Sequence, residues 1–424
     1  MALSDSPRPA ASGCPFPFVP TDPAEPLTFD PTEPAPVPPA LSGEKIAKVA
    51  LPPGQDDTEA WWVRDYAAAK KVYHLDDVYR RHDADGIAPY LKLAPLIAAQ
   101  DGRHLRDMRS LVVRAFTGAN MSRFRPTVEA LARTCLDDLI GSGEPADLVR
   151  HLAWPLSLNA VAELIGVPAE GRERFHVWGD MLLSTGPDRR TENARAIAEL
   201  TAYAGGLMAA QANDSDGGLL AHAVSRGAEL GIDEGESALL VASLAVAGWE
   251  ATAAAIAGSV YKLLTTTDET GVGLYHQVCA RPELIPSAVE ELLRVMPNSW
   301  FETGQPRRAA VDTELAGVEI KAGDLILVAH DLADRDPQVF AEPDRIDLAR
   351  TDNPHLAFGH GAHYCLGAGL ARLELNVALE QLTARLPGLR LAVAPHEVGW
   401  SRATPIRRPN EVPVAWSGSV RAPV

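Results

Sequence analysis

From Asp101 to about Leu264, apolar residues recur at helical spacing, interrupted at Gly141-Ser-Gly143, Gly166-Val-Pro168, Gly186-Pro187 and Gly217-Gly218. This stretch predicts a series of helices, and the last is the longest. Asp233-Glu-Gly-Glu236 has the pattern of a capping box. The small apolar residues after it predict a helix of roughly 30 residues, about 45 Å long, buried on most sides. Nearer the start, Ile46-Ala-Lys-Val-Ala50 and Ala60-Trp-Trp-Val63 flank a turn cluster rich in Pro, Gly and Asp, which predicts a β-hairpin. A helix follows over Tyr66 to Tyr73. Residues 75–100, with Gly86, Pro89 and Pro95, read as a long loop of the kind that usually carries function. Alternation around glycine turns from 308 to 330 predicts strands. The chain has no internal repeat. The pattern is mainly α with small β-sheets, an α+β arrangement, in one domain over residues 41–424. Residues 1–40 are proline-rich and read as extended or disordered.

Composition narrows the partners. The 424 residues are 46% hydrophobic and carry a net charge of −17, which supports a large core and argues against nucleic acid or an anionic membrane as a general partner. Cys14, Cys135, Cys279 and Cys365 are scattered without a CxxC pair, so neither a disulfide framework nor a zinc site is expected. No apolar run of about 18 residues stands out, and no basic-then-apolar leader opens the chain. The expectation is a cytoplasmic protein in a reducing compartment, with no membrane contact.

The candidate chemistry centres on His355-Leu-Ala-Phe358-Gly-His-Gly361-Ala-His363-Tyr-Cys365-Leu-Gly367-Ala-Gly369. Here one cysteine sits in a glycine-rich loop directly before a helix-forming run. Free N–H groups and the helix dipole at such a position stabilise a thiolate. Gly361 and Gly367 are expected to let the backbone approach something large and flat. A bare cysteine is more often a buried structural residue. The full spacing Phe358-x-x-Gly361-x-His363-x-Cys365-x-Gly367, however, resembles the signature of the cytochrome P-450 superfamily of haem-thiolate monooxygenases. That resemblance implies haem b bound through Cys365, which is also the metal ligand, and a single triangular haem-burying domain with a long central helix.

Three further motifs stand at family spacing, and together they extend the resemblance over about Trp62 to Pro405. Glu291-Leu-Leu-Arg294 shares one helix face and resembles the family's Glu-x-x-Arg core salt bridge. In the long helix, Ala247-Gly248-Trp249-Glu250-Ala251-Thr252 resembles the oxygen-binding stretch, where a local widening holds O₂ and passes protons. Gly248 and Glu250 match, whereas the usual threonine is Ala251 and the hydroxyl arrives one residue late, at Thr252. One residue turns about 100° around a helix, so Thr252 does not simply substitute. Arg109 matches the arginine of a haem-contacting segment whose histidine position falls on Leu105, with His104 displaced by one. The resemblance also places Arg307 and His355 against haem propionates.

The resemblance implies electrons from ferredoxin and ferredoxin reductase, O₂, and a small-molecule substrate. Its natural-product tailoring members suggest a small secondary metabolite. Trp300, Phe301 and Trp400, together with Ala247 and Tyr90, are candidates to line the pocket, and these aromatics would favour a flat ligand. With no alcohol at 251, oxidative C–C or C–N coupling of an aromatic or indole- or peptide-derived substrate without oxygen insertion is the alternative to hydroxylation. A non-catalytic haem sensor or electron carrier is a third reading.

Overall fold

The computed structural model describes residues 30–51, 57–81, 100–172, 174, 177, 178, 181, 190–211, 218–299, 306–402, 404 and 406–416. Strand β1 (Ile46–Ala50) and β2 (Glu59–Val63) form the expected hairpin, with Ile46 opposite Val63. Helix α1 (Tyr66–His74) starts at Asp65, whose carboxylate accepts the Ala68 N–H at 2.8 Å. Two short strands lie where the periodicity indicated none: β3 (Tyr79–Arg80), and β4 (Ala146–Asp147) within the helical stretch. From 307 the alternation resolves into β5 (Arg307–Ala309), β6 (Thr313–Leu315), β7 (Val318–Ile320) and β8 (Leu325–Val328).

A five-stranded sheet runs β1-β2-β8-β5-β3, with β2 and β8 parallel and the other neighbours antiparallel. Its period of two sorts the side chains into separate cores. Trp61, Val63, Ile326 and Val328 face one cluster, while Ala60, Trp62, Leu325 and Leu327 face another. Both faces of β8 are therefore buried, which accounts for its uninterrupted apolar run.

The helical stretch forms α2 (Gly102–Ser110), α3 (Gly118–Gly141), α4 (Trp154–Ile165), α5 (Arg190–Gln211), α6 (Leu219–Leu230) and α7 (Glu234–Thr265). Helices α8 (Leu274–Ala280), α9 (Ile285–Val295) and α10 (Ala368–Arg385) follow, and α3, α4, α7 and α10 supply much of the largest core. Gly166 ends α4 in the left-handed region at φ 87°, as its glycine predicts. Asp233 caps α7 by accepting the N–H groups of Gly235 and Glu236 at 2.8 and 3.2 Å. Glu236 does not close the expected box, because its carboxylate pairs with His104 of α2.

By length and composition α7 is apolar enough to cross a membrane, which corrects the reading that the chain has no such run. Its most apolar window is 67% buried inside the fold, as befits a core helix. The helix passes through 247–252 as a regular α-helix, without the expected local widening.

The described part of the proline-rich tract is docked. Thr32 is buried, and Lys262 of α7 reaches its hydroxyl at 3.0 Å and Glu33 at 2.6 Å. Arg335 binds the other Glu33 oxygen at 2.7 Å, and Arg407 donates to the Glu33 carbonyl. Three cations thus pin this segment to the rest of the described fold.

Candidate active site

A cavity of about 370 Å³ lies between α7 and the loop that precedes α10, within the size range of small-molecule sites. Cys365 lines it. The residue is exposed by surface area, yet protein packs around it, so its open surface is the part that faces the cavity. The loop that presents it is tightly folded. The Cys365 N–H donates to the Phe358 carbonyl at 2.9 Å, and Gly359 and Gly361 adopt φ 69° and 71°. Gly361 answers a packing demand different from the expected one. A Cβ there would lie 2.4 Å from the Tyr73 carbonyl oxygen at the end of α1, so its close approach is to another backbone and not to the cavity. Gly359 and Gly367 are the cavity-lining glycines of the loop.

Burial pushes the Cys365 thiol up. The Gly367 and Ala368 N–H groups at the start of α10 and the Arg109 and Arg372 guanidinium groups pull it back toward thiolate. The helix-terminus effect read from the sequence is present, and burial opposes it.

Across the cavity, α7 contributes Leu244, Ala247, Gly248, Ala251 and Thr252 to the wall. Gly248 is needed for packing: a Cβ would come within 2.9 Å of Val161 Cγ2 on α4. Glu250 does not line the cavity. It is 2% exposed, and its Oε2 lies 3.3 Å from Nε of Arg408, on strand β11 (Arg408–Pro409), whose partner strand is β10 (Trp400–Ser401). The Arg408 guanidinium stacks 5.0 Å from the Trp154 ring.

Arg109 and His363 both line the cavity. Arg109 donates to the Tyr364 carbonyl at 2.8 Å, and burial lowers its pKa. His363 Nε2 pairs with Asp101 at 3.0 Å, and burial, opposed by Asp101, holds its pKa below the usual histidine value. Leu105 lines the wall where the family histidine was sought, while His104 points to Glu236. Arg307, 1% exposed on β5, stands one layer back with its guanidinium 5.6 Å from the ring of Tyr73, a lining residue.

Two expectations are corrected. His355 does not line the cavity; its Nε2 meets Glu290 at 3.1 Å and its Nδ1 accepts the Ala357 N–H, so it serves the outer side of the loop. Trp400 is a core residue, packed edge-on against Tyr261 with ring centroids 5.6 Å apart, because β10 turns it toward α7 and not toward the cavity. Tyr90, Trp300 and Phe301 lie outside the described residues. The stretch from Asn298, also expected to line the pocket, does so at Asn298, whereas sequence reasoning missed His330 and Arg407 of the wall, since neither belongs to a short motif.

Behind the loop, Glu291 and Arg294 are fully buried and form a bidentate pair at 2.8 Å. The network is wider than the motif. Arg350 and Asn353 bind Glu291 at 3.0 and 3.1 Å, and Arg294 also donates to the carbonyls of Asp334 and Pro343.

This arrangement fits a large flat cofactor. One thiol opens into a cavity walled opposite by small α7 residues, with Arg109 and His363 placed to meet anionic side groups. The comparisons agree. The family model for cytochrome P450 matches residues 276–386. Mycinamicin IV hydroxylase/epoxidase of Micromonospora griseorubida is 38% identical over 88% of this chain and 93% of its own length. Nocardicin C N-oxygenase of Nocardia uniformis subsp. tsuyamanensis is 36% identical over 89% and 94%. The crystal structure of a cytochrome P450 with biaryl coupling reactivity superposes with TM-score 0.82 at 30% identity, covering 96% of this chain and all of the other. A thiolate-facing cavity, a buried Glu-x-x-Arg network and similarity across nearly the whole length lead to one conclusion: the chain belongs to the cytochrome P450 family, monooxygenases that work with cysteine-ligated haem.

Proposed function

We propose that the chain oxidises a small, largely apolar secondary metabolite, with Cys365 as the iron ligand and electrons supplied by a ferredoxin and its reductase. The observation that carries this reading is the position of Cys365 on the cavity wall facing Ala247–Thr252. Bound haem supplies the one-electron and O₂ chemistry that side chains lack. The protein's share is binding, exclusion of water and proton supply. Arg109 and His363, both on the wall, are suited to hold the cofactor's carboxylates, with Arg307 reinforcing their field from behind. Leu244, Leu292, Leu293 and Met296 give the cavity apolar surface that favours a hydrophobic substrate.

Proton supply is the unusual part. Ala251 places a methyl group where the family uses a hydroxyl, and the alcohols that α7 does present to the cavity are Thr252, one residue on, and Ser259, two turns further. Glu250 stands behind the wall beside Arg408, and it is the carboxylate we assign to proton supply on this side. The test is turnover of a metabolite library with reconstituted ferredoxin and reductase, following both the ligand-induced Soret shift and product mass. A product heavier by one oxygen supports monooxygenation; absence of any spectral response to ligands and of any product would defeat the reading.

A second reading is favoured by Ala251 and by the likeness to a P450 with biaryl coupling reactivity. Here hydrogen is removed from an aromatic O–H or N–H and two radicals couple, so the product has lost two hydrogens and gained no oxygen. The same mass measurement separates the two.

A further inference from the structure

Arg372 of α10 is held more elaborately than a surface arginine needs to be. Its Nε and Nη2 donate to the two oxygens of Glu290 at 2.7 and 2.8 Å, its Nη1 donates to the Tyr364 hydroxyl at 3.0 Å, and its guanidinium lies 4.5 Å from the centre of the Phe358 ring. Glu290 is itself held by His355 at 3.1 Å. Each contact grips the cysteine loop: His355 at its start, Phe358 whose carbonyl receives the Cys365 N–H, and Tyr364 directly before the cysteine. Arg109 takes the Tyr364 carbonyl from the other side. The two guanidinium groups thus bracket Tyr364, the residue before Cys365, one on its carbonyl and one on its hydroxyl. Arg109 also lines the cavity, whereas Arg372 does not.

We propose that Arg372, fixed by Glu290, is a positioning residue that sets the reduction potential of the Cys365-ligated iron and keeps the thiolate bond intact on reduction. The inference rests on the reading of Cys365 as the ligand. In the step concerned, one electron enters from a ferredoxin-class donor, the donor is oxidised, iron(III) becomes iron(II), no bond breaks, and the charge of the centre falls by one. A fixed cation nearby stabilises the more negative product. Its stacking on Phe358 and bidentate seat on Glu290 keep the charge from swinging into solvent, where it would be screened.

The experiment uses full-length, haem-loaded protein without substrate. Dye-mediated spectroelectrochemistry gives the midpoint potential, the ferrous–CO spectrum gives the thiolate fraction, and thermal unfolding is recorded alongside. Arg372→Leu is expected to disfavour reduction about tenfold, the order a nearby unit charge contributes at an effective dielectric of about 20, or about 59 mV for a one-electron couple. Its ferrous–CO spectrum should show a diminished thiolate-type band. Arg372→Lys keeps the charge but loses the fork and the stack, so it should fall between, whereas Glu290→Gln removes the anion that opposes Arg372 and should shift the potential the other way, favouring reduction. If Arg372→Leu does not retain haem, these two variants decide. Potentials within about threefold of the parent, with an intact thiolate band, would overturn the proposal and leave Arg372 a structural residue. A parent protein without the thiolate-type band would instead overturn the assignment of Cys365 as ligand.

Discussion

Behind Cys365, side chains are locked by charge: Glu291 with Arg294 and Arg350, and Glu290 with Arg372 and His355. Across the cavity, α7 offers Ala247, Gly248 and Ala251, with no charged side chain on its lining face. The first wall is over-determined, since each carboxylate has more than one partner and the bonds cross between α9, α10 and the loop. The lining face of the second wall is set by shape, through contacts such as Gly248 against Val161, while the ion pairs of α7, Glu250–Arg408 and Lys262–Glu33, lie off the cavity. A rigid ligand platform facing an adaptable apolar wall is a sensible division where one chemistry must serve one particular substrate. It also means that the two walls should fail in different ways.

The sharpest test removes the ligand. Cys365→Ser should abolish the red-shifted ferrous–CO band and oxygen-dependent turnover altogether, and retention of either would break the assignment. Next, Glu291→Ala strands Arg294 and Arg350 in a buried site, so unfolding stability should drop by about 3–5 kcal/mol, read as a lower denaturant midpoint. On the α7 side, Gly248→Ala forces a Cβ onto Val161 and should cost about 1–3 kcal/mol. Val161→Ala in the same chain should recover part of that loss, a coupling of at least about 0.5 kcal/mol. Additive effects would sink the shape argument.

Acid titration sharpens the contrast. Glu290 is held at about 2 against an ordinary 4.5, with burial opposing and His355 and Arg372 prevailing. Its contribution is therefore fully present above about pH 4.5 and is lost as pH falls toward 2. Glu374 on α10 has the opposite shift: it is fully buried, with the Ser157 hydroxyl as its polar neighbour, and burial keeps it protonated well above 4.5. The unfolded chain ionises there first, so this residue weakens the fold as pH rises above 4.5. Glu290→Gln should flatten the acid limb of stability, and Glu374→Gln the limb above it. The smallest expected effect is on the wall itself. Ala251→Thr adds two heavy atoms beside the cavity, and should shift the ratio of peroxide to product more than it shifts the melting temperature. An unchanged ratio would remove Ala251 from the proton route.

The sequence disclosed the first wall better than the second. Cys365, Phe358, Glu291 and Arg294 fall where short, rigid spacings predict, because ligand geometry and a fork-to-fork ion pair tolerate little variation. Long helices are equally legible, since burial against a core imposes their period. Strands β3 and β4, two residues each, are too short to leave a period at all. His355 and Trp400 were misplaced for a common reason: distance along the chain says how near a residue is to Cys365, not which way its side chain turns. Arg350 and Arg372 went unseen because they join the network across about 60 and 80 residues of chain, and contacts of that separation write no local pattern. Gly361 was expected to let the loop approach something large and flat, but the backbone it accommodates belongs to α1.

The docking of Glu33 bears on where this molecule can be cut. Lys262, Arg335 and Arg407 hold it, and Arg407 reaches from that seat to the cavity wall. Cleavage between Glu33 and Leu41 detaches a segment on which a cavity-wall residue rests. A protease cut placed there should therefore alter ligand-induced spectral changes, and unchanged spectra would separate the seat from the site.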